Sequence, residues 1–553
     1  MTLAADLDIW DVYPSSGYFV ALVETEQLER LQSEGYWVEI EEIFGPTLVR
    51  VFGDLGLGYQ TVEEIYSTLR NLPSLYPSLC RVVDIGDSWD KTITGGASGY
   101  DLLCLVLTNQ ALLHAKPAFF LLGGSHPREM APPELALCFA EYLLEQYGID
   151  PDVTWLLDWT EIHIFPLHNP DGRQWADLGY HWRKNTNQDS GVPFPYYGVD
   201  LNRNFDHHWE WSLGASDNPA AATYRGETAA SEPETRSLQD YLSLVFTKAN
   251  EGLFITLHSY GERVLWPWGD VITPAPDAAS LEMLGRRIAF FNQYQPLQSS
   301  LLYPASGAVD DWVYGKLGVA ALTVELGTEF FQNYSDFREK IWPENRQALL
   351  YACKTTRSPY SLPFGPEVTE ISLNPEVAVK GEPVYLTALA NLNRLKGAPI
   401  SMNEDAFVGG GYFTVDIPPW AEGSVFFPLE AEDGMFDKPV ERLVGGVETA
   451  GFSPGRHTIF VTSYNNQGMA GVTTAVFLTV IDGVGDMDSD REVTIKDVLL
   501  VLRMTLQMEV NLDGVTHFWP YSADLIRKGD VSGDGLIDIA DVISVLRQAI
   551  GLS

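Results

Sequence analysis

The chain has 553 residues, too many for one ordinary core, so several domains are expected. Its 75 acidic and 35 basic side chains give a formal charge of −40. That balance argues against nucleic acid or an anionic membrane as a partner, since both need clustered Lys and Arg, and it suits a soluble protein able to bind cations. No signal peptide is visible at the start, where a basic region followed by an apolar core is missing, and no apolar run is long enough to span a membrane. Cys80, Cys104, Cys138 and Cys353 include no Cys-x-x-Cys pair, and Cys104 and Cys138 sit inside apolar patterns; buried free thiols are expected rather than a disulfide framework.

Residues 18–23 and 37–41 alternate apolar and polar, with a short helical pattern at 26–33 between them, which predicts strand, helix, strand. Thr61 and Glu64 form a capping box that opens a helix running toward Pro73. Strands are predicted at 101–107, 118–122 and 161–167, with a helix over 132–147 closed by Gly148. Such alternation implies a mostly parallel sheet covered by helices on both faces.

Between the strand at 118–122 and the following helix lie Gly123, Gly124, Ser125, His126, Pro127, Arg128 and Glu129. A histidine and a glutamate three residues apart, where a strand hands over to a helix, can turn toward one point. Zinc accepts imidazole nitrogen and carboxylate oxygen, and a catalytic site wants three protein ligands with one position left for water. Open α/β sheets place ligands outside the carboxyl ends of their strands. The apolar run at 252–257 delivers His258 at such an end and supplies a candidate third ligand.

His126, Glu129 and His258, in that order and separated by a long insertion, resemble the metal ligands of the zinc carboxypeptidases of the carboxypeptidase A and B type. The resemblance continues through Trp182-Arg183-Lys184, Gly198 to Phe205, Tyr224 to Thr228, Ser231 to Thr235, Tyr303 to Gly307, Asp311-Trp312 and Thr323 to Leu326, and covers roughly residues 58–358. It implies the carboxypeptidase fold, one catalytic zinc ion, and a substrate with a free C-terminus. Residues 1–57 resemble a short form of the prodomain that precedes bacterial, carboxypeptidase T-like members. A structural extension of the catalytic domain is the alternative.

What the resemblance implies for single residues follows position by position. Glu325, ending an apolar run, matches the general base that takes a proton from the attacking water and passes it to the leaving amine. Arg183 matches the arginine that stabilises the oxyanion. Asn202 and Arg203 fall where the family binds the terminal carboxylate, Tyr303 matches the tyrosine that closes over it, and Arg128 would contact the substrate further from its end. Asp310 falls at the floor of the specificity pocket, which predicts basic or broad terminal-residue preference. Asp311 follows directly, so a slip of one residue would change that reading. His163, His168, His207 and His208 match no ligand position.

From Pro363 helical periodicity disappears and short alternating runs are separated by Gly, Pro and Asn turns, the signature of a β-sandwich over 363–482. A structural spacer is the expected role, with carbohydrate or protein binding the alternative. Residues 484–553 differ again. Asp486, Asp488, Asp490, Glu492, Thr494 and Asp497, and then Asp530, Ser532, Asp534, Leu536, Asp538 and Asp541, stand at positions 1, 3, 5, 7, 9 and 12 of two calcium loops, position 7 offering its backbone carbonyl. An apolar helical pattern follows each. Two such loops resemble a dockerin, which implies two calcium ions and docking to a cohesin-bearing scaffold protein.

The sequence therefore predicts a secreted, multidomain zinc carboxypeptidase: residues 1–57, a catalytic domain at 58–360, a β-sandwich at 363–482 and an all-α calcium-binding module at 484–553. Two alternatives remain: a zinc amidase acting on cell-wall peptides, and an inactive binding protein of the same fold.

Overall fold

The structure is a computed structural model describing residues 8–13, 18–22, 27–28, 30–31, 58–397, 405–490, 492–512 and 515–550. The chain divides into two compact units, Met1–Phe364 with Arg394–Glu404, and Gly365–Asn393 with Asp405–Ser553.

In the first unit, β1 (Asp8–Tyr13) pairs antiparallel with β2 (Tyr18–Leu22). Residues 27, 28, 30 and 31 are helical, and the strand expected at 37–41 lies outside the described residues. Helix α1 (Val62–Leu75) opens on the Thr61–Glu64 capping box and carries Pro73 in its last turn. An eight-stranded sheet follows, built from β3 (Cys80–Asp87), β4 (Asp101–Leu107), β5 (Ala118–Leu122), β6 (Glu161–Phe165), β7 (Leu253–His258), β8 (Arg263–Trp266), β9 (Gln295–Gln298) and β10 (Ala320–Glu325). Its order is β3-β4-β6-β5-β7-β10-β8-β9.

The pairs β6-β5, β5-β7, β7-β10 and β8-β9 are parallel, while β3-β4, β4-β6 and β10-β8 are antiparallel. The centre of the sheet is thus parallel, as the alternation predicts, and antiparallel pairs flank it. Strands β5 and β7 are buried at every residue, which requires cover on both faces. The longer helices are α2 (Ala131–Gln146), α3 (Pro233–Val245), α4 (Ala278–Asn292) and α5 (Trp342–Thr355). Helix α2 buries nearly all round, consistent with a helix enclosed by the core rather than lying on its surface. All four cysteines are buried and free.

The second unit holds an eight-stranded sheet, built from β11 (Glu367–Asn374), β12 (Val377–Val379), β13 (Pro383–Asn391), β14 (Val408–Val415), β15 (Phe427–Ala431), β16 (Val440–Glu448), β17 (Gly455–Asn465) and β18 (Thr474–Ile481), in the order β11-β13-β16-β15-β14-β17-β18-β12. Along β13 every second residue is buried, the period expected of a strand with one face on a core. Val384, Leu386, Ala388, Phe413, Ile459 and Leu478 belong to that core. A separate core, including Met487, Val501, Met504 and Val545, gathers α6 (Ile495–Thr505), α7 (Ala523–Gly529) and α8 (Ile539–Ala549). The connection between the two acidic loops is not all helical: β19 (Val510–Leu512) and β20 (Val515–His517) form a short hairpin within it.

Candidate active site

Strands β5, β7 and β10 lie parallel and adjacent, with Leu122 opposite Thr256 and His258 opposite Glu325, so their carboxyl ends open on one edge. The turn after β5 folds His126 and Glu129 back over that edge. It depends on Gly124 at φ 65°, where a Cβ would lie 2.9 Å from the Leu167 side chain and 3.0 Å from the Pro166 carbonyl. His126 Nδ1 lies 2.7 Å from Glu129 Oε1, and His258 Nδ1 lies 3.2 Å from both Glu129 Oε2 and His126 Nδ1. All three side chains are buried, and their donor atoms lie within 4.8 Å of one another. Burial alone would raise the Glu129 carboxyl, yet the two imidazoles outweigh it and hold the group below the ordinary carboxylate range.

The set is also held from behind. His126 Nε2 lies 3.1 Å from Asp200 Oδ1, and Asp200 Oδ2 accepts from Arg183 Nε and Nη2 at 3.1 and 2.8 Å. An imidazole that donates Nε2–H to a buried carboxylate turns its Nδ1 lone pair toward a metal. Asn202 Nδ2 stands 3.4 Å from His258 Nε2. Two imidazole nitrogens and a carboxylate, buried and convergent, are the donor set of a three-ligand zinc site, so these residues fit the ion.

A cleft of about 770 Å³, open to solvent, is lined by all ten residues singled out in this part of the sequence: His126, Arg128, Glu129, Arg183, Asn202, Arg203, His258, Tyr303, Asp310 and Glu325. Glu325 keeps some surface toward the cleft while its carboxyl is enclosed. Burial pushes that carboxyl up to about 7, with His258 drawing it down and Glu129 adding to the rise. Arg183 is drawn to one side by Asp200, and Arg128 places its guanidinium 4.0 Å over the Phe330 ring.

Arg203 donates to the carbonyls of Gly214 and Asn202 at 2.9 and 2.7 Å. Asn202 Oδ1 accepts from the Val309 N–H at 2.9 Å, tying Asn202 to the short helical turn Val309–Trp312 that carries Asp310. Burial raises the Tyr303 hydroxyl, and Arg203, Glu325 and Arg183 all act on it electrostatically, which places the ring among them.

Asp310 lines the cleft and accepts from Thr323 Oγ1 at 2.9 Å, whereas Asp311 turns away and accepts the Gly269 N–H on both oxygens, each at 2.9 Å. Two residues escaped the reading of the sequence. Asp200 stands inside a quoted block, but nothing local shows that its carboxylate reaches both His126 and Arg183. Arg263 also lines the cleft, because β8 runs antiparallel to β10 and sets it opposite Glu325.

The four further histidines named from the sequence, His163, His168, His207 and His208, stay outside the donor set. His168 Nδ1 pairs with Ser125 Oγ, His163 Nδ1 with Tyr241, and His208 Nδ1 with Asp270, while His207 stacks on His208.

In the second unit, Asp486, Asp488 and Asp497 bring carboxylate oxygens within 4.8 Å of one another. Asp497 accepts from the Met487 N–H at 2.8 Å and caps α6 through the Thr494 N–H at 2.8 Å. Loop two repeats the device: Asp541 accepts from the Ser532 N–H at 2.8 Å and caps α8 through the Asp538 N–H at 2.9 Å. Asp530 gathers the N–H groups of Gly533, Asp534 and Gly535, while Asp490 and Asp534 each accept from the N–H two residues on, Glu492 and Leu536.

A family model described as zinc carboxypeptidase matches residues 65–349. The chain belongs to the zinc carboxypeptidase family. Among curated relatives it is 32% identical to carboxypeptidase A2 of Mus musculus over 46% of this chain and 59% of that one. It is 30% identical to carboxypeptidase B of Astacus astacus over 48% of this chain and 86% of that one. Among solved structures, thrombin activatable fibrinolysis inhibitor is similar with a TM-score of 0.50 and 25% identity, covering 64% of this chain and 93% of the other. The chain thus spans about three-fifths of the length of the mouse relative. The zinc carboxypeptidase match contains every residue that lines the cleft and stops before β11.

Proposed function

We propose that this chain removes C-terminal residues from peptides and proteins by hydrolysis, with zinc held by His126, Glu129 and His258. The observation that carries the reading is the register of β10 on β7, which sets Glu325 beside the convergent donor set in the same cleft as four arginines. Zinc, when bound, supplies Lewis acidity toward the carbonyl and acidifies water at the site.

The chain's own residues do the rest. Glu325 takes a proton from the attacking water and returns it to the departing amine nitrogen, a role suited to a carboxyl raised toward neutrality. Arg183, fixed by Asp200, offers a preorganised positive charge to the developing oxyanion. Asn202 and Arg203 bind the free terminal carboxylate, and Tyr303 covers it and excludes water. Arg128 holds the substrate further from its end. Asp310 pairs with a basic terminal side chain, giving basic or broad specificity of the bacterial, carboxypeptidase T-like kind.

The test is release of the last residue from peptides ending in Lys, Phe or amidated Lys, with a zinc chelator and Glu325→Gln as controls. Release from free ends, lost on amidation, chelation and substitution, is expected. No release from any free end by zinc-loaded protein lacking its first 57 residues sinks the reading.

The remaining segments serve delivery. Residues 1–57 are a short prodomain-like segment, the strands β11 to β18 a β-sandwich spacer, and residues 484–553 a dockerin-like module binding two calcium ions and docking to a cohesin-type scaffold outside the cell. Support for docking comes from exposed apolar side chains at matching positions of the two repeats, Ile495, Leu499 and Leu506 on or just past α6, and Ile539, Ile543 and Ile550 on or just past α8. Titration calorimetry with calcium, followed by pull-down on a cohesin with and without chelator, checks it; no calcium uptake at either loop rejects it.

A further inference from the structure

Lys184 follows Arg183 directly, yet it does not line the cleft. Its side chain is buried, and its Nζ donates to the carbonyls of Tyr196 at 2.5 Å, Pro219 at 2.8 Å and Ala221 at 3.1 Å. An ammonium has three N–H donors, and here none goes to a carboxylate. The carbonyls belong to two stretches of chain, one before and one after residues 197–218. A single ammonium therefore closes that segment at both ends.

The segment carries Asp200, Asn202 and Arg203, and Arg203 donates to two of its carbonyls, those of Asn202 and Gly214. Beside the ammonium, the Asn185 N–H donates to the Val199 carbonyl at 2.9 Å, and Asn185 Oδ1 accepts from the Val199 N–H at 2.8 Å. Gly198, at φ 102°, passes so close that a Cβ would lie 2.2 Å from the Asn185 carbonyl oxygen and 2.9 Å from Lys184 Cβ. The segment also bonds to the stretch after Tyr303, where the Ser306 N–H donates to the Leu213 carbonyl at 2.7 Å and the Phe205 N–H to that of Gly307 at 3.0 Å. Burial pushes the Lys184 amine down to about 7, with Asp200 drawing it up and Arg183 adding to the fall. Burying such a cation costs free energy, and its carbonyl bonds offset that cost only while the segment stays closed.

We infer that Lys184 is a positioning residue for recognition of the substrate's free carboxylate, stapling both ends of residues 197–218 so that Asn202 and Arg203 stay in register with the zinc donor set. Asp200 is gripped by His126 and Arg183 as well, so loosening the staple displaces Asn202 and Arg203 more than the residues around the scissile bond. Contacts to the terminal carboxylate are made alike in ground state and transition state, so their loss appears in KM rather than in kcat. Recognition of a free C-terminus rests on the carboxypeptidase reading, and binding tests the staple apart from turnover.

The experiment compares zinc-loaded protein with and without Lys184→Met, which keeps an apolar stem and removes the donors, or Gly198→Ala, which presses on the same contact from the segment. Measurements are made below the Lys184 value of about 7, on a peptide ending in free Lys. Each substitution is expected to raise KM about ten-fold, with kcat and zinc affinity changing by less than about two-fold. In Glu325→Gln protein, calorimetry should show the same substitutions weakening the free-Lys peptide about ten-fold and its amide by less than about two-fold. A fall in kcat at unchanged KM, or equal weakening of free and amidated peptides, would make the role one of general structure and overturn the proposal. So would unchanged affinity for the free end. If Lys184→Met loses zinc or its circular dichroism, Gly198→Ala decides by the same criteria. Turnover by the unsubstituted protein reports separately on the carboxypeptidase reading.

Discussion

The donor set at the sheet edge and the acidic loop before α6 each gather three side chains that could hold a metal ion, yet they are assembled in opposite ways. His126 and His258 are separated by more than a hundred residues and meet because β5, β7 and β10 end on one edge. Asp486, Asp488 and Asp497 lie within one turn of chain and meet because that turn is tight and is closed by a helix cap. A site carried by a packed sheet has its scaffold before the ion arrives. A site carried by a loop of like charges has little else to hold it.

Breaking that contrast at the sheet edge has the largest expected effect. Glu325→Gln should lower kcat by ~10³-fold while leaving circular dichroism unchanged, because the proposed base is lost but the strand is not. Asp200→Asn should follow at ~10–100-fold in zinc affinity and activity together, since one carboxylate orients His126 and anchors Arg183. Zinc titration alongside rate measurements checks it; a loss of rate with zinc affinity intact would mean that only the Arg183 contact matters.

At the loop the contrast is sharpened by chelation. Calcium removal should raise the rate of proteolysis within residues 486–497 and 530–541 about ten-fold, while zinc removal leaves the cleavage pattern of the first unit unchanged. Equal sensitivity of both units would erase the distinction.

The smallest effect concerns pH. Glu234 is fully buried beside Glu232, with Asn185 Nδ2 at 2.7 Å from Glu232 and 3.4 Å from Glu234. Burial, then the Glu232 charge, pushes the Glu234 carboxyl up to about 8. The unfolded chain releases this proton near the ordinary value of 4.5 and the folded chain retains it to about 8. Stability therefore falls as pH rises through that window and levels off above it. Glu234→Gln should flatten the fall and raise Tm at pH 9 by ~5 °C, with no gain at pH 4. A gain of equal size at both pH values would assign the effect to packing.

What could be read directly was what is local. The capping box at Thr61, the strands at 101–107 and 118–122, the His126–Glu129 pair and both acidic loops depend on neighbours a few residues away, and periodicity or spacing exposes them. The resemblance of ordered blocks added Arg183, Asn202, Arg203, Tyr303 and Glu325, and all of these line one cleft. The antiparallel flanks of the sheet were less legible, because alternation of strand and helix does not distinguish a parallel neighbour from a strand turned back at the edge.

By itself the sequence determined which residue types stand at strand ends and in loops, since backbone preference and hydrophobic period act over short range. Only the tertiary structure decided that Asp200 joins His126 to Arg183, that Arg263 faces Glu325, and that Asp310 and not Asp311 meets the cleft. Those pairings follow from register between strands and from burial of charge, which are properties of elements brought together rather than of any one of them.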